Sequence, residues 1–475
     1  MAEISLPPGN HYALMWGIPD NYAGMTNAML HRSKAFVELA KTDVTIVTYE
    51  FREDYDDIRQ KLRERGALID GLSVINLWED LRGWDDEQLA AAAAFYTEGP
   101  DATFEPLEKR GDHAHPLRNV LLNFDEKIDQ IDYFREDGTL FVSDRRMVPG
   151  DKKRSLTLCD RKGQPLGTWR NVWDFYYFWL DSLPRDPIAW FIADSKTSSN
   201  HLVSYRRDDV VTLHVVHGSH LAPGSTDDVT EITASRRHVF DRLDKWDAVI
   251  FLTQHQLDDV EKLLGPGTNR YVCPNGRMVP ESPPRLDRPS NRGVMLASLS
   301  KRKQIDHAIV AMSRVGRVGL RRPVLDVYGR GPQKKPLSKH ILEQKPRPQV
   351  NLRGYLPDAV HQFADASFSL LTSNNEAFGL VLVESMGMGC IPISYDMPYG
   401  PAEIITHGVD GFIVPADDID ALAAIIKEVA KMSPAALAPI RVAAYKRAQD
   451  FNDEHVTEHW STIMRSALES KIESL

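Results

Sequence analysis

Apolar positions along this chain fall into short unbroken runs separated by polar stretches with helical spacing. HYALMWG at 11–17 predicts a strand, IPDNYAGMT a loop, and NAMLHRSKAFVELAK a helix. DVTIVTYEF at 43–51 predicts a second strand, and the polar stretch 54–65 a second helix. Strand, helix, strand is the opening of a parallel α/β domain. After about residue 95 the texture changes. Turn signals at Asp137-Gly138, Pro149-Gly150-Asp151 and Arg161-Lys162-Gly163 punctuate the runs IDYFRE, TLFVSD, SLTLCD and PLGTWR, which predicts an antiparallel meander. NVWDFYYFWLDSL then brings six aromatics together. They read equally as a core against the meander or as an oligomer interface.

The α/β texture returns with IAWFIADS, VVTLHVVHGS and WDAVIFLTQHQLDDVEKLLG. The Pro- and Arg-rich stretch YVCPNGRMVPESPPRLDRPSNRG reads as a crossing between domains. Beyond it come the strands GVMLAS, PVLDVYGRG, VNLRG, FSLLTS, CIPISYD and GFIVP, with IDHAIVAMSRV as an amphipathic helix and further helices at the end. The expected organisation is a Rossmann-like domain in two parts, 1–95 and 196–284, interrupted by a β-rich insertion at 96–195. A second Rossmann-like domain covers 285–452, and a terminal helix covers 453–475.

A length of 475 residues suits two or three domains. The net charge of −10 argues against generic nucleic-acid binding. The basic clusters Lys152-Lys153-Arg154, Arg206-Arg207 and Lys334-Lys335 read as solvated faces; Lys301-Arg302-Lys303 is the exception developed below. Cys159, Cys273 and Cys390 are odd in number and far apart, which suggests no disulfide framework, no zinc site and a reducing cytoplasm. The start MAEISLPPGN has no signal-peptide pattern, and no run of about 18 apolar residues occurs, so no membrane span is expected. Peripheral contact at the inner membrane face stays open.

The candidate chemistry centres on EAFGLVLVE, where Glu376 and Glu384 bracket an uncharged run. Ser373-Asn374-Asn375 supply capping candidates, so a helix is expected to start near Ala377 or Phe378. Its free N–H groups and positive dipole end would make an anion site, with Gly379 allowing close approach. On one helix the acids would lie about 12 Å apart and about 80° offset. Such an arrangement suits a sugar, a diphosphate and a ribose in line. The structural alternative is that both acids merely hold the fold, although apolar neighbours argue against an exposed Glu384.

This stretch resembles the Glu-x7-Glu signature of the retaining glycosyltransferases of family 4, which have the GT-B fold: two Rossmann-like domains facing a cleft. KQIDHAIVA, VLDVYGRGP, VNLRGYLPD, Pro274-Asn275-Gly276 and MGCIPISYDMPYGPAEIITHGVDGFIVP resemble further family segments in the same order. More narrowly, the insertion and YDMPYGPAEII resemble the bacterial poly(glycerol-phosphate) and poly(ribitol-phosphate) α-glycosyltransferases, whose insertion adhesin-glycosylating relatives share.

The resemblance implies that Glu384 binds ribose hydroxyls, that Glu376 with the amides of Phe378 and Gly379 holds the transferred sugar, and that Lys303 meets the diphosphate. Leu380 and Tyr355 join the donor site. The family places an Arg five residues before the lysine; here Ser298 stands there, and Lys301 or Arg302 would supply the second cation. In the first domain the usual Gly-Gly becomes Ala23-Gly24, with Gly17 at the strand end as a further contact. Of His217 and His220, His220 is favoured as the residue bonding the sugar. No cofactor and no metal is expected beyond a nucleotide-sugar donor, UDP-glucose or UDP-GlcNAc; Asp-Tyr-Asp at 54–56 falls in a charged helical stretch. The acceptor would be a polyanionic polymer such as wall teichoic acid, or a protein. A basic groove for it would use Lys152-Lys153-Arg154 and Arg206-Arg207, and the insertion would set a homo-oligomer. Two alternatives compete. One is a non-catalytic nucleotide-sugar-binding subunit of an adhesin glycosylation complex, favoured by Ser298 and Ala23. The other is a phosphorylase of the same fold, which lacks a pyridoxal-phosphate lysine motif here.

Overall fold

The computed structural model of the protein describes residues 4–20, 22, 24–96, 117–122, 126–146, 154–222, 231–319 and 322–475. Ala23, Lys152, Lys153 and the turn Pro149-Gly150-Asp151 lie outside the described residues. The chain divides into two compact units. One is Pro8–Tyr22 with Asp43–Val211; the other is Met1–Pro7, Ala23–Thr42 and Thr212–Leu475.

In the first unit four parallel strands lie in the order Ala189–Ala193, Asn10–Met15, Val44–Thr48, Leu72–Asn76. The strand Ala189–Ala193 is apolar and buried at every position, as a parallel strand covered on both faces must be. After the last strand, the Asn76 side chain accepts the N–H groups of Trp78 and Glu79 and so starts the helix Leu77–Gly83.

A second sheet is a five-stranded antiparallel meander, Arg118–Leu122, Ile128–Phe134, Leu140–Arg145, Ser155–Cys159 and Pro165–Trp169. Two of its turns hold Gly138 and Gly163 at φ of +81° and +78°, where a side chain would be strained. The aromatic run forms the helix Val172–Leu180, whose Phe175, Phe178 and Trp179 are buried. Trp169 of the meander lies 5.2 Å from Phe175 and 5.1 Å from Phe178 between ring centroids, so these aromatics are core. Arg207 is bound to Asp181, which also takes Arg185 and the Tyr205 hydroxyl. Arg185 also pairs with Asp209 at 2.9 Å, so two carboxylates meet the two guanidiniums, and the Arg207 charge expected to line an acceptor groove is taken up within the fold.

In the second unit Arg270–Val272 and Ala248–Phe251 run parallel with the strand Val210–Val215, which starts at the end of the first unit, in that order. A separate six-stranded parallel sheet has the order Gln349–Gly354, Val324–Tyr328, Arg292–Leu296, Phe368–Leu371, Ile391–Asp396, Phe412–Pro415. Arg288, from the Pro- and Arg-rich crossing, is buried and donates to the carbonyls of Phe363, Ala366 and Met388. That pins the crossing to this sheet. The terminal helix Asp453–Ser474 packs on the helix Met25–Ala40, with Phe36 against Trp460 and His31 2.8 Å from Asp453. Among the described residues no helix is long and apolar enough to cross a membrane.

Winding of the six-stranded sheet reverses between Arg292–Leu296 and Phe368–Leu371. The loops leaving the carboxyl ends of these two strands therefore diverge to opposite sides, and a crevice at such a reversal is where open α/β sheets bind ligands.

Candidate active site

From Leu296 the chain passes through a tight turn, Lys301–Lys303, into the helix Ile305–Val315. From Leu371 it passes through residues 372–379 into the short helix Leu380–Gly387. The two loops are stitched together. The Thr372 hydroxyl donates to the carbonyls of Lys303 at 2.9 Å and Gln304 at 3.0 Å, and the Asn374 N–H donates to Arg302 at 3.0 Å.

Three groups converge on one oxygen of Glu376. The Lys303 ammonium donates to Oε1, the Ser373 hydroxyl donates to it at 2.6 Å, and the Arg302 guanidinium stands 3.1 Å away. Arg302 also donates to the Asn375 carbonyl at 2.8 Å. Burial works to raise the Glu376 carboxyl, but Lys303 and Arg302 outweigh it and hold it below the usual carboxylate range. Burial likewise draws the Lys303 ammonium below its usual range against the pull of Glu376. The result is an ionised acid beside two cations at the reversal of the sheet. Such a site can neutralise a diphosphate while its acid faces hydroxyls.

The helix starts later than the sequence suggests. Gly379 caps it in the left-handed region at φ +93°, and the first helical residue is Leu380. Glu376 thus belongs to the loop, and the expected 80° offset between acids on one helix does not apply. A neighbouring loop fixes it instead. The Glu376 N–H donates to Pro398 at 3.1 Å, and the Tyr399 N–H donates back to Glu376 at 2.8 Å. Gly400, at φ +110°, leaves no room for a side chain, since a Cβ there would lie 1.7 Å from the Phe378 carbonyl oxygen. Among the described residues, the N–H groups of Phe378 and Gly379 take no carbonyl partner.

Glu384 lies on the helix and is bound by Arg277, whose Nε donates to Oε1 at 2.8 Å; both side chains are largely buried. Arg277 was not foreseen. It follows Pro274-Asn275-Gly276, and the one available signal was a cation next to a turn in an otherwise uncharged stretch. Its N–H donates to Phe451, which anchors it at the base of the terminal helix.

The remaining expected residues fall as follows. Ser298 contributes a hydroxyl 3.3 Å from that of Ser300. Tyr355 is 52% exposed and carries the Arg330 guanidinium 4.5 Å from its ring centre. Gly24 sits before the helix Met25–Ala40 at φ +55° with open space around it. Gly17 lies in the other unit, crowded by Glu50: a Cβ would come 2.2 Å from the Glu50 carboxylate. His217 is half-buried.

His220 is fully buried between Phe240 and Tyr399, at centroid distances of 5.7 Å and 5.9 Å, and neither ring nitrogen has a hydrogen-bond partner. Burial pushes its imidazole down to about 4, so it is neutral near pH 7. Tyr399, also unforeseen, donates its hydroxyl to Asp259 at 2.8 Å.

The fold matches that of solved GT-B glycosyltransferases, and residues 283–448 match the family of glycosyl transferases group 1. The chain thus carries a glycosyltransferase group 1 domain. It is 22% identical over 529 aligned residues to the poly(glycerol-phosphate) alpha-glucosyltransferase of Bacillus subtilis (strain 168), covering 98% of this chain and 76% of that one. A crystal structure of an S. aureus TarM mutant in complex with fondaparinux, alpha-GlcNAc-glycerol and UDP superposes with a TM-score of 0.77 at 17% identity, covering 96% of this chain and 100% of that one. The pneumococcal O-GlcNAc transferase GtfA in complex with UDP and GlcNAc gives a TM-score of 0.65 at 18% identity, covering 97% and 99%.

Proposed function

We propose that the protein is a retaining hexosyltransferase that moves glucose or N-acetylglucosamine from a UDP-sugar to a hydroxyl of a polyol-phosphate polymer of the wall teichoic acid kind. The observation that carries this is the Lys303–Glu376–Arg302 cluster at the reversal of a doubly wound sheet. The likeness over nearly the whole chain to a poly(glycerol-phosphate) alpha-glucosyltransferase supports the acceptor class.

In this reading the donor diphosphate lies against Lys303, Arg302 and the amides of Phe378 and Gly379. Arg302 takes the place of the family arginine that Ser298 lacks, since its guanidinium already reaches Glu376. As the bond from the anomeric carbon to the phosphate oxygen breaks, negative charge grows on the leaving group, and these fixed cations stabilise it without reorganising. The acceptor hydroxyl bonds to the anomeric carbon on the same face, and its proton passes to a leaving phosphate oxygen. Glu376 holds sugar hydroxyls and Glu384 meets the ribose from an orientation set by Arg277, whereas His220, expected to bond the sugar, is fully buried between Phe240 and Tyr399 and packs behind the Tyr399 loop instead. Peripheral membrane contact and assembly into oligomers remain part of the proposal.

The test is a thermal-shift panel of UDP-, GDP- and ADP-sugars. Binding to the native state raises its stability, so the largest shift is expected with a UDP-sugar and its loss in Glu384→Ala. Equal shifts across the three bases would overturn the base assignment. Release of free sugar from UDP-sugar without acceptor separates a transferase from a binding subunit, which would release none.

A further inference from the structure

The unit of Pro8–Tyr22 and Asp43–Val211 holds a cavity of about 340 Å³ at the carboxyl ends of its four parallel strands. Trp16 follows the strand Asn10–Met15, Tyr49 and Phe51 follow Val44–Thr48, and Trp78 opens the helix after Leu72–Asn76. His201, on the helix Lys196–Leu202 after the fourth strand, adds an imidazole. The meander closes the opposite side with Tyr133, Asp144, Arg146 and Arg154, and the aromatic helix contributes Trp173 and Tyr176. The volume and the strand-end position both suit a small-molecule site.

Its charge is not balanced. Asp144 is buried and takes Arg154 in a two-pronged pair, Nε to Oδ1 at 2.7 Å and Nη2 to Oδ2 at 2.8 Å. Arg146 stands 3.0 Å from the same carboxylate. One carboxylate therefore faces two guanidinium groups, and among the described residues the Nη1 of each has no partner. Both arginine side chains are partly exposed, at 36% and 28%, so those N–H groups are reachable. Tyr49 Oη and His201 Nε2 are buried without a hydrogen-bond partner.

A surplus guanidinium calls for an anion, and a wall of rings calls for a ligand with C–H faces rather than a bare ion. We propose that this cavity is an acceptor subsite that takes one polyol-phosphate unit, its phosphate oxygens on Arg146 and Arg154 and its carbon chain against the rings. The assignment rests on the polymer-acceptor reading above.

Calorimetric titration of the full chain with sn-glycerol 3-phosphate, glycerol and inorganic phosphate tests it. Glycerol 3-phosphate is expected to bind more tightly than either of the others. Arg146→Gln should weaken it about tenfold and raise KM for a glycerol-phosphate polymer. Arg154→Lys, which keeps a cation on Asp144 but loses the fork, should weaken it similarly, with the melting temperature reporting on the fold. Equal affinity in the unmodified protein and both variants overturns the proposal. Should glycerol 3-phosphate bind through Arg146 while no polyol-phosphate polymer is glycosylated, the subsite stands and the acceptor reading falls. Should the polymer be glycosylated with the same KM in both variants, the subsite falls and the acceptor reading stands.

Discussion

The loops around Glu376 and the cavity around Asp144 occupy equivalent places, each at the carboxyl edge of a parallel sheet, yet they are built from different materials. At Glu376 all the charge comes from two loops adjacent at a reversal of the sheet, and Lys303, Arg302 and Ser373 meet one oxygen. At Asp144 the charges come from a meander and the rings from strand ends up to about 140 positions away in the chain. A site of convergent charge stabilises a charge that develops during reaction. A site of rings with one unmatched guanidinium instead suits a ligand that is held but not transformed. On the proposed reading, the difference separates a place for chemistry from a place for recognition.

The sharpest way to break that comparison is Lys303→Ala. If Lys303 faces the leaving group as proposed, turnover should fall by roughly 100- to 1,000-fold, measured as UDP release from a UDP-sugar with acceptor present. A fall of only a few-fold would show that the cluster is structural and that the contrast between the two sites is misplaced.

Next in size is Arg277→Ala. It strands the largely buried Glu384 carboxylate, and chemical denaturation should show a loss of about 3 kcal/mol together with a weaker donor-induced thermal shift. An unchanged midpoint would mean that Glu384 finds another partner.

The smallest effect concerns pH. His220 is held neutral with its proton affinity lowered by burial to about 4. Below the unfolded value near 6.5 the unfolded chain binds a proton that the native state refuses, so stability is complete above that pH and is lost as pH falls toward 4. At pH 5 the loss from His220 should be about 2 kcal/mol relative to pH 8, read by urea denaturation and absent in His220→Gln. A second imidazole, His201 beside the aromatic cavity, is pushed down to about 3 and adds to the same slope. If the slope persists undiminished in His220→Gln, it belongs to His201 beside the cavity rather than to His220.

Much of the fold was legible because its signals are local. Parallel strands covered on both faces appear as unbroken apolar runs such as AWFIA, and the meander appears through turn residues that tolerate positive φ, as Gly138 and Gly163 do. Glu376 was legible as an acid beside capping residues and Gly379 at the end of such a run, and Lys303 through its place in the segment that resembles the family. The start of the helix was not. Ser373-Asn374-Asn375 looked like caps, but the pairing of Glu376 with Pro398 and Tyr399 holds that segment in a non-helical loop, and the left-handed Gly379 places the first turn at Leu380. Arg277, Tyr399 and Asp259 were illegible for a related reason: each acts through a partner more than a hundred positions away.

The sequence by itself determined the succession of strands and helices, the antiparallel insertion and the identity of the charged residues at the strand ends, because period, turn chemistry and side-chain type are properties of neighbours in the chain. The tertiary structure alone decided which acid keeps its charge, which histidine is buried, where the short helix begins and which arginines retain free N–H groups. Those depend on burial and on distances between groups far apart in sequence, and no local pattern encodes a dielectric environment.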